Sequence, residues 1–146
     1  MKIDVGSMTA ASEPTWIPLE AVVAYNKDEV AKTGEPHELR DRTALQRALA
    51  HPWNVWVYFM DRDIAVLAAG LYTSVANAHA FAEGNKRTAF RAASAFVEAN
   101  GYALDMPPDP LHAIERLLGY FDGRLGQSGV VEWCRLWMTP RREPNA

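Results

Sequence analysis

The stretch His79-Ala80-Phe81-Ala82-Glu83-Gly84-Asn85-Lys86-Arg87-Thr88-Ala89 constrains this chain more than any other. It lies between two helical patterns and draws an imidazole, a carboxylate, a glycine, an amide and two cations into one short connection. Before it, Ile64, Leu67, Ala68, Leu71 and Val75 recur at three- and four-residue steps, the period of a helix with one apolar side. Asp61 or Asp63 starts that helix and it stops near Ala78. After the stretch, Ala89, Ala92, Ala93, Phe96 and Val97 keep the same period from about Asn85 to Asn100-Gly101, with Gly101 placed for a left-handed C-terminal cap. The small residues let this second helix sit deep in a bundle.

The rest of the chain reads as helices around that pair. Pro18 stands at the first turn of a helix reaching about Thr33, with Leu19, Val22, Val23 and Val30 as its apolar side and Gly34 as its stop. Glu35-Pro36-His37-Glu38-Leu39-Arg40 follows as a polar loop or short hairpin arm. Asp41 caps a helix carrying Leu45, Ala48 and Leu49, which His51-Pro52 is expected to end. Trp53 to Met60 fits a short strand, an extended connector or a helical turn equally well. Asp105 to Pro110 is a stiff loop, and Leu111 to about Leu125 and Ser128 to Met138 add two helices. The expected fold is all-α, a compact bundle of about six helices with room for one small β-hairpin flap. Residues 1–15 read as a disordered lead, 16–139 as one domain, and 140–146 as a polar tail.

Composition excludes several function classes. The net charge of −3 over 146 residues argues against a nucleic-acid partner. The single cysteine, Cys134, rules out an intramolecular disulfide and a cysteine-based zinc site. No apolar run reaches the roughly 18 residues that span a bilayer. The N-terminus lacks an apolar signal core. Together these point to a cytoplasmic protein with no membrane partner.

The central stretch suits phosphate chemistry. A helix N-terminus leaves up to about four N–H groups unpaired and carries about half a positive charge, which attracts anions. Gly84 lets the backbone approach a phosphate closely. Asn85 can cap the helix or donate its amide, Lys86 offers a point charge, and Arg87 a planar fork for two oxygens. Glu83 alone repels anions, but Mg²⁺ turns that repulsion into a bridge, because magnesium is commonly held by one or two carboxylates plus phosphate oxygens. His79, with a reference pKa of about 6.5, can take a proton near neutrality from an attacking hydroxyl. Phe81 is expected to point inward and anchor the loop. Each residue alone has a plainer reading, as a structural histidine or a solvated helix start; their spacing together changes that.

The pattern His79-x-Phe81-x-Glu83-Gly84-Asn85-x-Arg87 resembles the Fic-domain signature, and Asn85-Lys86-Arg87-Thr88-Ala89 is similar to the Doc (death-on-curing) branch of that superfamily. Leu39-Arg40-Asp41, Ala48-Leu49-Ala50-His51-Pro52 and the helix before His79 also look Doc-like, so the resemblance covers roughly residues 16–138. It implies a helical Fic fold with the site where two central helices meet. It implies His79 as the base, Glu83 as a Mg²⁺ ligand, Gly84, Asn85, Lys86 and Arg87 as phosphate holders, and ATP as the donor. Most Fic enzymes carry glycine at the position of Lys86 and transfer adenylate. Doc carries lysine there, holds ATP the other way round and transfers the terminal phosphate to a threonine of elongation factor Tu. Lys86 therefore implies a kinase, a toxin of a type II toxin–antitoxin module that arrests translation. Phe90 stands where most Fic signatures have a second arginine, as in Doc; Ala80 stands where proline is common. Doc has alanine and aspartate where Gly84 and Glu83 stand, which leaves adenylyl transfer open as the alternative. A catalytically idle interaction module is the rival from another class.

Two further expectations concern partners. The segment holding Glu35, His37, Leu39 and Arg40 matches the place of a flap that pairs with the target's backbone, or is a plain inter-helix turn. An inhibitory [ST]-x-x-x-E-[GN] helix, present in some Fic proteins, is matched only in part at Thr9–Glu13 and Ser128–Glu132, which implies a separate antitoxin. Trp133 and Trp137, like Trp53 and Trp56, read as packing or partner surface rather than as stacking platforms.

Overall fold

The computed structural model describes residues 12–141, and they form six α-helices and a two-stranded antiparallel sheet. The order is α1 (Leu19–Thr33), α2 (Arg42–Tyr58), α3 (Ile64–Ala78), α4 (Asn85–Ala99), β1 (Tyr102–Leu104), α5 (Leu111–Leu118), a 3-10 turn (Gly119–Asp122), α6 (Gln127–Trp137) and β2 (Met138–Pro140). The all-α bundle of about six helices expected from the sequence is the one observed.

Helix α3 is the axis. Its buried residues run all round it, from Ile64, Ala65 and Leu67 to Val75 and Ala76, and α2, α4 and α6 pack against it. A helix apolar on every side has to be enclosed by neighbours. Helix α4 buries one face only, Ala89, Ala92, Ala93, Phe96 and Val97, and lays it on α3 while α1 covers its other flank. Ala65, Ala68, Ala69 and Ala76 of α3 are buried, as are Ala89, Ala92 and Ala93 of α4, so small side chains make up much of the buried surface of both helices.

Local chemistry sets the ends. At the end of α1, Gly34 takes φ 72° and its N–H bonds Ala31 O, while Glu35 N–H bonds Val30 O, a Schellman closure. Asp41 Oδ1 accepts from Ala44 N–H at the start of α2, and Asp63 Oδ1 accepts from Ala65 N–H at the start of α3. Pro18 is the N-cap of α1 rather than its first turn.

Three boundaries differ from expectation. Pro52 does not stop α2, which continues through Trp53 to Tyr58. Proline removes the N–H that would bond the carbonyl four residues back. Here that carbonyl, Ala48 O, accepts from Ser74 Oγ of α3 at 2.8 Å, so the orphaned group keeps a partner and the helix runs on. The α5 helix ends at Leu118, not near Leu125; the chain tightens into the 3-10 turn and leaves it at Gly123 with φ 83°. The β-structure is not a flap hairpin. It joins β1 to β2, pairing Tyr102 with Pro140 and Leu104 with Met138, and fastens the end of α4 to the end of α6.

Of the expected lead and tail, residues 1–11 and 142–146 lie outside the described residues. Thr15 exchanges two hydrogen bonds with the Asn100 side chain, and Trp16 packs between Trp56 and Phe96. Pro140 belongs to β2, and Arg141 donates to Gly101 O and Glu98 O. Trp133 is core, its indole N–H bonded to Ala113 O at 2.7 Å. Among the described residues no helix is long and apolar enough to cross a membrane.

Candidate active site

The connection between α3 and α4 carries the site. His79 closes α3 in the left-handed conformation, φ 48° and ψ 40°, an unusual choice for a residue with a β-carbon. That turn exposes the imidazole while the next two residues dive inward: Ala80 and Phe81 are buried. Phe81 is thus the expected anchor. Asn85 locks it there, because its Oδ1 accepts from Phe81 N–H at 3.0 Å and its Nδ2 donates to Phe81 O at 2.8 Å. Of the two roles open to Asn85 from sequence, this is the positional one; both ends of its amide are engaged.

Gly84 is the N-cap of α4 at φ 76°, and no side chain caps the helix there. Space as well as conformation requires glycine. A β-carbon would lie 3.0 Å from Val30 Cγ1 and 3.3 Å from Asn26 Nδ2. The uncapped first turn of α4 presents its N–H groups and the positive end of its dipole. His79, Gly84, Asn85, Lys86 and Arg87 line one open cleft of about 390 Å³. The structure therefore places the expected base and all four of the expected phosphate-side residues around one cleft.

The two cations are held differently. Lys86 is exposed, with its ammonium 4.6 Å above the Phe121 ring. Arg87 reaches back to α1, donating to Glu29 O at 3.0 Å, Thr33 Oγ1 at 3.1 Å and Glu35 Oε1 at 2.5 Å. The Thr33 hydroxyl, and after it Arg87, holds the Glu35 carboxyl below the usual glutamate range. Glu35, expected on a target-facing flap, is turned to the site's own arginine.

Glu83 is exposed, and among the described residues its carboxylate makes no ion pair, while its main-chain carbonyl accepts from Asn26 Nδ2 at 2.8 Å. No cluster of three or more His, Cys, Asp or Glu that could hold a metal occurs among the described residues. One carboxylate beside an anion-binding helix end fits Mg²⁺ in one way, with phosphate oxygens completing its shell.

Asn26 is the part of the site that sequence reading missed. It is fully buried in α1, where its Nδ2 donates to Glu83 O and to Thr88 Oγ1 (3.0 Å) and its Oδ1 lies 2.8 Å from His37 Nδ1. One amide thus joins α1, the flap, the loop and α4. A signal existed: Val22, Asn26 and Val30 are spaced by fours on the buried stripe of α1, and a polar residue in such a stripe needs partners.

The flap segment lies against the loop. Leu39 forms a β-bridge with Phe81, Ala82 N–H donates to Glu38 O at 3.0 Å, and Arg40 N–H donates to Ala80 O at 2.8 Å. Leu39 is half-buried, whereas His37 and Arg40 are exposed.

A family model described as Fic/DOC family matches residues 16–97, more than half of the chain. The chain belongs to the Fic/DOC family. That match spans α1 to the last turn of α4 and takes in the loop and the flap segment; the α5–α6 region lies beyond it. No curated protein matches the chain. Fic/DOC proteins generally transfer nucleotide or phosphate groups to proteins using ATP with Mg²⁺. In Fic/DOC terms the loop is the signature motif, and Phe90, at the place of the second arginine, is an apolar residue packed edge-on against Trp133.

Proposed function

We propose that the chain is a Doc-like protein kinase, which moves the terminal phosphate of Mg-ATP onto a serine or threonine hydroxyl of a translation factor such as elongation factor Tu. The observation that carries this is Lys86. It sits exposed in the His79 cleft where the adenylyl-transferring members have glycine, and its charge favours an anion in the space that a glycine would leave open.

The chemistry follows from the side chains. His79 accepts the acceptor's proton as its hydroxyl oxygen attacks the γ-phosphorus. The bond from that phosphorus to the β–γ bridging oxygen breaks, ADP leaves with the electron pair, and the proton stays on the imidazole until solvent takes it. The α4 N-terminus and Lys86 stabilise the charge on the transferring group, and Arg87, whose guanidinium is engaged by Glu29 O, Thr33 and Glu35, buttresses the site from the α1 side. Glu83 is the residue that would hold Mg²⁺, which supplies charge neutralisation when bound. Asn85 and Asn26 hold the loop that aims His79.

Target docking fits the flap. One edge of residues 38–41 is engaged by the motif loop, leaving the other edge for a strand of the target, with Arg40 beside it. Control is proposed to come from a separate antitoxin protein. The partial inhibitory match at Ser128–Glu132 lies in α6, against α3 and β1, and most of Thr9–Glu13 lies outside the described residues. A purified chain that stays silent until part of itself is deleted would remove the antitoxin proposal.

A cell extract given ATP labelled at the γ- or the α-phosphate tests the reaction. Label from the γ-position and its loss in His79→Ala are expected. Label from the α-position would establish adenylyl transfer, the second reading, which the Glu83-Gly84 pair favours. Growth arrest on expression, relieved by His79→Ala, separates both from an idle interaction module.

A further inference from the structure

The turn between α2 and α3 leaves an apolar cluster uncovered. Tyr58, Phe59 and Met60 are 71%, 78% and 70% exposed. Trp53, further back on α2, is 39% exposed, and its ring meets Tyr58 edge-on with centroids 6.2 Å apart. Single exposed apolar side chains are ordinary, but four gathered at one turn form a patch. Met60 stands in the left-handed region at φ 55°, a conformation that a β-carbon disfavours, and it ends α2 with Tyr58 and Phe59 outside the core.

The segment that forms the patch is also without charge. From Ala48 to Met60 the chain has no Asp, Glu, Lys or Arg. The charged residues that follow are engaged elsewhere. Asp61 Oδ1 accepts from Asp63 N–H at 3.0 Å, Arg62 lies over the Trp56 ring at 4.8 Å, and Asp63 pairs with Arg135 of α6. Aromatic and methionine side chains with charge kept out are the composition of an interface core.

We infer that this patch is a self-association surface, on which a second copy of the chain seats through the same four side chains. An uncharged patch gives a foreign partner no charge to select by. A twofold axis sets it against an identical face, equally apolar and equally uncharged. A membrane surface suits it less, because two aspartates stand at the turn and the chain is net negative at −3, where anionic lipids select for basic residues. The area is sufficient. Aromatic side chains can bury about 150–250 Å² each, so at these exposures the four offer roughly 500 Å² per copy. A twofold pair then covers roughly 1,000 Å², the lower bound of a specific interface, which fits a reversible dimer with a Kd in the micromolar range. Helix α3 starts beside the patch and reaches His79 about 22 Å away, so pairing at this end leaves the His79 cleft free. Nothing in the pairing depends on the transfer reaction.

Sedimentation velocity of the full chain from about 1 to about 200 μM tests this. The mass should rise with concentration from 16.3 kDa towards twice that value. The midpoint should hold from low to high salt, since apolar burial is not screened. Phe59→Glu should weaken pairing at least about tenfold, because it would bury an unpaired charge at the twofold axis. Its Tm should match the parent's, since the ring it replaces is exposed. Leu111→Glu, at an exposed apolar residue of α5 outside the patch, should leave pairing unchanged. A monomer throughout the range, pairing that survives Phe59→Glu, or equal weakening by Leu111→Glu would overturn the inference. So would a dimer that dissociates steeply with salt, or one that gives way to binding on phosphatidylcholine vesicles.

Discussion

Replacing Asn26 by alanine should loosen the active loop from behind. The side chain is fully buried and holds the Glu83 carbonyl at 2.8 Å, the Thr88 hydroxyl at 3.0 Å and the His37 ring at 2.8 Å. At about 1 kcal/mol net for each neutral hydrogen bond the loss is about 3 kcal/mol, with more where a buried partner such as Thr88 is left unpaired. Alanine returns about 0.6 kcal/mol of helix propensity to α1. The expected net destabilisation is about 2–4 kcal/mol, or a fall in Tm of roughly 6–12 °C for a domain of this size. Urea unfolding measures it. A double-mutant cycle with Thr88→Val then isolates one bond, since the cost of Asn26→Ala should shrink by about 1 kcal/mol in the valine background. Transfer activity, assayed well below the new Tm, should fall further than the unfolded fraction explains, because Glu83 and His37 both lose their anchor. A destabilisation under about 1 kcal/mol, or full additivity with Thr88→Val, would refute the idea that this amide ties the loop to α1.

His79→Gly should abolish transfer and leave stability equal or higher by up to about 1 kcal/mol, because glycine takes the left-handed turn without a β-carbon penalty; a clear stability loss would show that the imidazole supports the fold. Ser74→Ala should cost about 1–2 kcal/mol in urea by orphaning Ala48 O, and much less in a Pro52→Ala background, where the restored N–H takes that carbonyl; equal costs in both would disprove the compensation. Glu35 has its carboxyl pKa lowered from 4.5, so its contribution is present above about pH 5 and lost as pH falls below that ordinary value; the stability gap between the parent and Glu35→Gln should close on acidification, and a gap independent of pH would contradict the ion pair with Arg87. Burial pushes the Cys134 thiol up to about 12, so a thiol reagent at neutral pH should label it only in denaturant.

The helices around the loop were readable because they carry their own local signals. Asp41 and Asp63 announce the starts of α2 and α3, Gly34 the end of α1, and the alanine-rich period announces α4. What escaped notice depends on partners distant in the chain. Pro52 looks like a stop until Ser74, 22 residues on, supplies the missing donor. Arg87 looks like a free phosphate fork until Thr33 and Glu35 arrive from the far side of Gly34. The small sheet could not be foreseen, since β1 and β2 are three-residue strands separated by two helices. Local propensity reports what a segment prefers alone, and these features exist only after the segments meet.

The alanines buried in α3 and α4 have a consequence for the loop that joins these helices. A methyl group has no rotamers to exchange, so the alanine-rich stretches of the two helices have few ways to repack. The two helices hold the ends of the His79–Gly84 loop at one fixed separation. The geometry of that loop is therefore inherited from backbone positions rather than from the choices of large side chains.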